Sequence, residues 1–134
     1  MKAKATKPLN PNRHASTRAT TGIEGALRLY SAGMYAEALA MIEVQLRTHP
    51  KHAVALNIAA ACARGIGRLE DAVRYWMQAV RAKPDYVDAH NNLGVVLQEL
   101  KRFPEAEASY QRALAIQPEY ANAHNNLGNL LLEL

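Results

Sequence analysis

Cysteine occurs once in the 134 residues, as Cys62. An intrachain disulfide is therefore excluded, which fits a reducing compartment and an expected cytoplasmic location. No run of about 18 apolar residues occurs, so no membrane-spanning helix and no membrane partner are expected. The N-terminus also lacks the apolar stretch of a secretory signal. Acidic residues are missing at first: Lys2, Lys4, Lys7, Arg13 and Arg18 all precede Glu24. The net charge of +4 thus arises in a tail, because the remaining 11 basic and 12 acidic residues nearly cancel. A folded part without a basic face gives no reason to expect nucleic acid as a partner. Aromatics are few, with one Trp, one Phe and six Tyr, so aliphatic and small side chains must build most of the core.

What is present in quantity is alanine, together with Leu, Glu, Arg and Gln, a composition that favours helix. These residues repeat. Pro50, Pro84 and Pro118 are spaced by 34 residues, as are Ala38, Ala72 and Ala106. Tyr35, Leu69 and Phe103 keep the same step, and so do Leu46, Val80 and Leu114. Residues 88–94 read Asp-Ala-His-Asn-Asn-Leu-Gly, and residues 122–128 read Asn-Ala-His-Asn-Asn-Leu-Gly. A fixed period of this length marks a stack of supersecondary units.

Each period divides into two helices. Ala89, Leu93, Leu97 and Leu100 recur at helical spacing, as do Ala106, Tyr110, Ala113 and Leu114. Pro104 suits the first turn of a helix, and Pro118 opposes continuation of one. Gly33 and Gly67 are natural left-handed C-caps. Lys101 stands where the third glycine would be, which predicts that this turn closes differently. Helices are expected near 20–32, 36–48, 53–65, 70–82, 87–100, 104–116 and 121–134. Residues 1–18, basic and broken by Pro8 and Pro11, are expected to be a disordered tail dispensable for folding.

The period, the helix pairs and the alternation of small and large residues resemble the tetratricopeptide repeat. The small positions are Gly94, Gly128, Ala38, Ala72, Ala106, Ala79 and Ala113. The large ones are Leu93, Leu127, Tyr35, Leu69, Phe103, Trp76 and Tyr110. Residues 59–60, both Ala, replace Leu93-Gly94 in the second repeat, and Gln45 replaces a small residue in the first. The resemblance covers residues 19–134 and implies an all-α fold: a right-handed α-solenoid of about three and a half repeats. These lie near 19–52, 53–86, 87–120 and a half repeat at 121–134. The third and fourth repeats resemble bacterial proteins of the O-linked N-acetylglucosamine transferase type.

No catalytic constellation is evident. His90 and His124 are repeat equivalents without the Cys or carboxylate company of a metal site, so packing or hydrogen bonding is their expected role. His49 and His52 are expected in solvent. Cys62 lies on an alanine-rich helical face as a small buried thiol. The segment around Gly65 and Gly67 lacks the Lys-Ser/Thr of a phosphate loop. No cofactor, no metal and no enzymatic activity are expected of this chain.

The resemblance implies a concave groove lined by the first helix of each repeat. One row is Glu24, Ile58, Asn92 and Asn126. A second is Ile23, Asn57, Asn91 and Asn125. A third is Leu27, Ala61, Val95 and Asn129. A primary amide both donates and accepts, so it can pair with the backbone of any peptide. Asn57, Asn91, Asn92, Val95, Asn125, Asn126 and Asn129 are therefore the candidate peptide-binding residues. The family's carboxylate clamp for chaperone C-termini needs Lys and Arg, and none occupies Ile23, Glu24, Asn57, Asn92, Asn122 or Asn126. The implied function is a protein-interaction scaffold that binds a peptide or helical segment of a partner. The alternatives are a substrate-selecting region of a longer enzyme, such as an O-linked glycosyltransferase, or a self-associating scaffold. For the last, Leu127, Leu131 and Leu134 form an apolar edge through which the C-terminal helix could make a homo-oligomer.

Overall fold

The computed structural model describes residues 22–134. The expected tail at 1–18 lies outside the described residues. Among the described residues seven helices follow one another: α1 over 22–31, α2 over Tyr35–Thr48, α3 over Ala53–Gly65, α4 over Leu69–Ala82, α5 over Val87–Glu99, α6 over Phe103–Ile116 and α7 over Ala121–Glu133. No strand occurs among the described residues. Each helix packs on its neighbours in sequence, and α7 also reaches back to α5. This is the stack of antiparallel pairs that a 34-residue period requires, since no single helix can bury its apolar stripe alone.

Small residues set how closely the helices approach. Ala38, Ala72, Ala79, Ala106 and Ala113 are fully buried. Between them stand the large side chains, Trp76 and Tyr110, also buried. Gly94 clears a notch for Tyr110: a β-carbon there would lie 2.5 Å from Cε1 of the ring. The first repeat uses other glycines for the same purpose. Gly22 makes room for Gln45 and Gly25 for the Met41 sulfur, so the departure from the repeat pattern at Gln45 is compensated one helix away. Gly65, at the end of α3, does likewise for the Tyr35 ring.

The turns inside the repeats correct one expectation. Lys101 does not close its turn differently. It takes φ +64°, beside +79° at Gly33 and +82° at Gly67. The hydrogen bonds match as well: Arg68 N donates to Ala63 O and Arg102 N donates to Leu97 O, both at 2.8 Å. These are the backward bonds of a Schellman cap, and the repeat geometry enforces them on a lysine that lacks glycine's freedom.

Candidate functional site

The asparagine rows lie on α3, α5 and α7. Their side chains do not all stand open to a ligand. Asn126 Nδ2 donates to Asn91 Oδ1 at 3.0 Å. Asn92 Nδ2 reaches Asn57 Oδ1 at 3.5 Å, a long contact at the edge of hydrogen bonding. Asn57 Oδ1 also accepts from the indole N–H of Trp76 at 2.8 Å. Asn91 is only 5% exposed, so its amide serves the rung more than the groove. Asn92 and Asn126 are half-buried, and Asn125 and Asn129 are exposed. Val95 is half-buried beside them, while Ile58 is buried.

A register appears here that equivalence of position does not give. Asn57 and Asn92, Asn91 and Asn126, Arg64 and Glu99, and Gln98 and Glu133 all pair, and each pair is separated by 35 residues. The repeat is 34. Successive first helices therefore lie side by side with a slip of one residue, and a residue touches the neighbour of its equivalent. Each amide rung spends one N–H. Among the described residues, the carbonyl oxygens of Asn92 and Asn126 accept no hydrogen bond.

Charge in the groove is sparse and largely paired. Glu24 is exposed at its N-terminal end and lies 3.9 Å from Arg28. Arg64 sits against Glu99, whose carboxylate accepts its N–H and holds the guanidinium pKa above its ordinary value. Both partners are about half exposed, so the pair contributes little to stability. Val95, Gln98, Asn126, Asn129 and Glu133 border a shallow cleft of 310 Å³ between α5 and α7. A larger hollow of 430 Å³ lies at the loop end, between Pro50, Leu56 and Arg81, away from the amides. The groove also changes along its length. Leu27 and Val54 are exposed near its N-terminal end, and Asn125 and Asn129 near its C-terminal end.

The histidines tie loops to helices. His90 Nε2 lies 2.9 Å from the Pro84 carbonyl, and His124 Nε2 lies 2.7 Å from that of Pro118. A carbonyl can only accept, so Nε2 carries the proton in both. Proline and histidine thus form one device that pins the loops entering α5 and α7. His52 is exposed, as expected, and its Nδ1 in addition accepts from Ala55 N and caps α3. Cys62 is buried, and desolvation pushes its thiol up to about 11. Such a thiol is not a ready nucleophile. Burial also pushes Tyr110 up to about 12. Its stabilising effect is complete below the ordinary tyrosine range and is lost as pH rises through about 12. No group of three or more His, Cys, Asp or Glu among the described residues could hold a metal ion. No described helix is long and apolar enough to cross a membrane.

The edge leucines divide. Leu127 is half-buried against the core, whereas Leu131 and Leu134 are 54% and 68% exposed. Leu130, outside the expected edge, is the fully buried one.

Comparison with known proteins fits this architecture. The tetratricopeptide repeat matches residues 23–86, 63–121 and 92–134. The TPR repeat-containing thioredoxin of Arabidopsis thaliana is 38% identical over 65 residues, which make 48% of this chain and 10% of that protein. This chain thus spans a tenth of that relative's length. Among solved structures, the first TPR of Spaghetti (RPAP3) bound to the HSP90 peptide SRMEEVD gives a TM-score of 0.83 at 22% identity, covering 88% of this chain and 94% of that one. The second TPR domain of human RPAP3, in complex with the HSP70 peptide SGPTIEEVD, gives 0.81 at 18% identity, covering 86% and 96%. MamA gives 0.82 at 18% identity, covering 86% and 67%. At such identities the likeness is one of fold. The curated relative comes from Arabidopsis thaliana rather than from a bacterium, and none of these matches singles out the O-linked N-acetylglucosamine transferase type. With the repeat matched from residue 23 to residue 134, the chain belongs to the tetratricopeptide repeat family.

Proposed function

We propose that this chain is a protein-interaction scaffold whose concave face holds a peptide or helical segment of a partner. The observation that carries this reading is the pair of amide rungs. Each presents a carbonyl oxygen, on Asn92 or Asn126, that has no partner among the described residues. Neighbouring helix axes lie about 8–10 Å apart. An extended peptide advances about 3.3 Å per residue, so one rung meets roughly every third residue of a bound strand. Contacts to peptide backbone tolerate many side chains, and affinity accumulates by repetition.

The fold neighbours hold peptides ending in EEVD, but this groove suits a different ligand. Its rows carry asparagine and aliphatic residues and one carboxylate, Glu24, with no Lys or Arg. A cluster of carboxylates would find no charge-assisted bonds in those rows. The favoured ligand is a low-charge segment, apolar where it meets Leu27 and Val54 and polar where it meets Asn126 and Asn129.

A peptide array read with the parent and with Asn92→Ala/Asn126→Ala tests the proposal. The double variant is expected to keep its helical signal and lose most array binding, and SRMEEVD is expected to bind neither protein. Undiminished binding by the folded double variant would remove the amide rungs from recognition. A second reading places the same groove in a longer enzyme, where it selects substrates. It is favoured by the relative whose name joins TPR repeats to a thioredoxin and of which this chain matches one tenth. An open reading frame continuing past Leu134 into a catalytic domain is what this second reading requires.

A further inference from the structure

The junction of the first and second repeats differs from the next one along. A hollow of 430 Å³ opens there, bordered by Pro50, Lys51 and Leu56 on one side and by Gln78, Arg81 and Ala82 on the other. A step of 34 residues replaces Leu56 by His90 and Ala82 by Ile116. His90 turns its ring to the Pro84 carbonyl, which a leucine cannot do, and Ile116 is half-buried where Ala82 is exposed. Departures from the repeat thus hollow out this junction. α2, α3 and α4 are interior to the stack, so the opening does not depend on either end of the sequence.

Charge changes together with shape. Arg47 and Arg81 stand in the last turns of α2 and α4, whereas the last turn of α6 has no basic residue. After the repeat prolines come Lys51, then Asp85, then Glu119. A cation in a last turn complements its own helix dipole, which accounts for the two arginines singly. It does not account for Lys51, across the hollow from Arg81. None of Arg47, Lys51 and Arg81 enters an ion pair among the described residues. The sequence before Glu24 has no acidic side chain to supply one. The hollow continues as a trough, because a second depression shares Pro50, Leu56 and Gln78 with it and reaches Arg47 and Tyr75. Glu43 marks the far end, where its carboxylate accepts from the Tyr75 hydroxyl at 3.2 Å.

We propose that this trough docks an extended acidic segment of a partner protein, with one aromatic side chain seated in the hollow. From Tyr75 to Ala82 is about 10 Å along α4, at about 1.5 Å per residue. That is the length of about three residues of extended peptide, and a compact anion would use only one end of it. The ring lies on Pro50, Leu56 and Ala82, and carboxylates beside it pair with Lys51 and Arg81. A ring is favoured over an aliphatic side chain because it buries more surface and takes a neighbouring cation on its face. SRMEEVD offers carboxylates but no ring. The chain's own first 21 residues are basic and acid-free, so like charge argues against them as the occupant. The site is built largely by α2 and α4 and is independent of the amide rungs.

The probe is the end-capped peptide Gly-Asp-Glu-Phe-Glu-Asp-Gly, titrated by calorimetry into the 134-residue chain. Saturable binding is expected. Lys51→Glu/Arg81→Glu should weaken it about tenfold or more, and so should replacing the peptide's Phe by Ala. Ala82→Ile, which installs the side chain of the next junction, should weaken it as well. All three substituted positions are exposed, so the variants are expected to melt with the parent. Asn92→Ala/Asn126→Ala should leave binding of this peptide unchanged, which separates this site from the groove. Absent binding, or binding indifferent to the charge reversal or to Ala82→Ile, would overturn the proposal. Binding undiminished by loss of the Phe would reduce recognition to charge and overturn the seated ring. Loss of binding in the double asparagine variant would assign the peptide to the groove and also overturn it. A chain that dimerises, and becomes monomeric on Lys51→Glu/Arg81→Glu, would make the occupant a second copy and overturn the proposed partner.

Discussion

α5 and α7 share Ala-His-Asn-Asn-Leu-Gly at residues 89–94 and 123–128, yet nearly the same sequence serves two environments. In α5 the glycine is a constraint, because the Tyr110 ring already occupies the place of a side chain. In α7 the same glycine is only a weakness, because it leaves a helix with more backbone freedom and nothing packed in return. The difference teaches that a repeat signature describes half of a contact. Its energetic meaning depends on whether the other half is there.

The largest expected effect removes the partner from α5. Tyr110→Ala should destabilise the chain by about 3–5 kcal/mol, as large aromatic truncations in packed cores do. Urea unfolding checks this, and a loss below about 1 kcal/mol would mean that the notch collapses around the gap. Next is the glycine pair itself. Gly94→Ala should cost about 1–3 kcal/mol by overpacking. Gly128→Ala should instead stabilise α7 by up to about 1 kcal/mol through helix propensity. Opposite signs for one substitution at equivalent positions would establish the comparison, and equal signs would break it. Parallel thermal melts suffice.

Smaller effects sharpen the picture at the ends of α5. Lys101→Gly should stabilise by about 1 kcal/mol, since a left-handed lysine is held only by its surroundings. A crystal structure of the variant should show no change in φ at residue 101, because Lys101 already adopts +64°. Smallest is the histidine pair. His90→Ala should cost about 1 kcal/mol, for a loop hydrogen bond in a buried setting. His124→Ala should cost less, because its ring is exposed. Hydrogen exchange at the amides following Pro84 and Pro118 would resolve the two even where melts do not.

Much of this architecture is legible in the sequence, because a 34-residue period repeats both the helix stripe and the proline that ends it. The helices fall within a residue or two of the expected spans, and Ala38, Ala72 and Ala106, which are in register, are all buried. What was not legible concerns contacts between repeats. Asn91 and Asn126 occupy different rows by position, and they touch because adjacent first helices slip by one residue. Aligning repeats groups equivalent residues and cannot show that slip. Lys101 misled for a related reason: the local preference for glycine is overridden by two helices whose positions are already fixed by packing. A run of three leucines does not itself state that Leu130 is the one that faces inward. Its burial in the core cluster that also holds Leu97 and Tyr110 decides it.

The bond from Trp76 to Asn57 has a spectroscopic consequence. Trp76 is the single tryptophan of the chain, 2% exposed, and its indole N–H ends on a groove amide. Indole emission responds to the polarity and hydrogen bonding at that nitrogen. A ligand that draws the Asn57 oxygen toward itself, or dries the space around it, therefore alters the emission of a residue it never touches. Under the proposed function, Trp76 emission is thus the expected label-free report of a ligand beside Asn57, with no second tryptophan in the chain to obscure it.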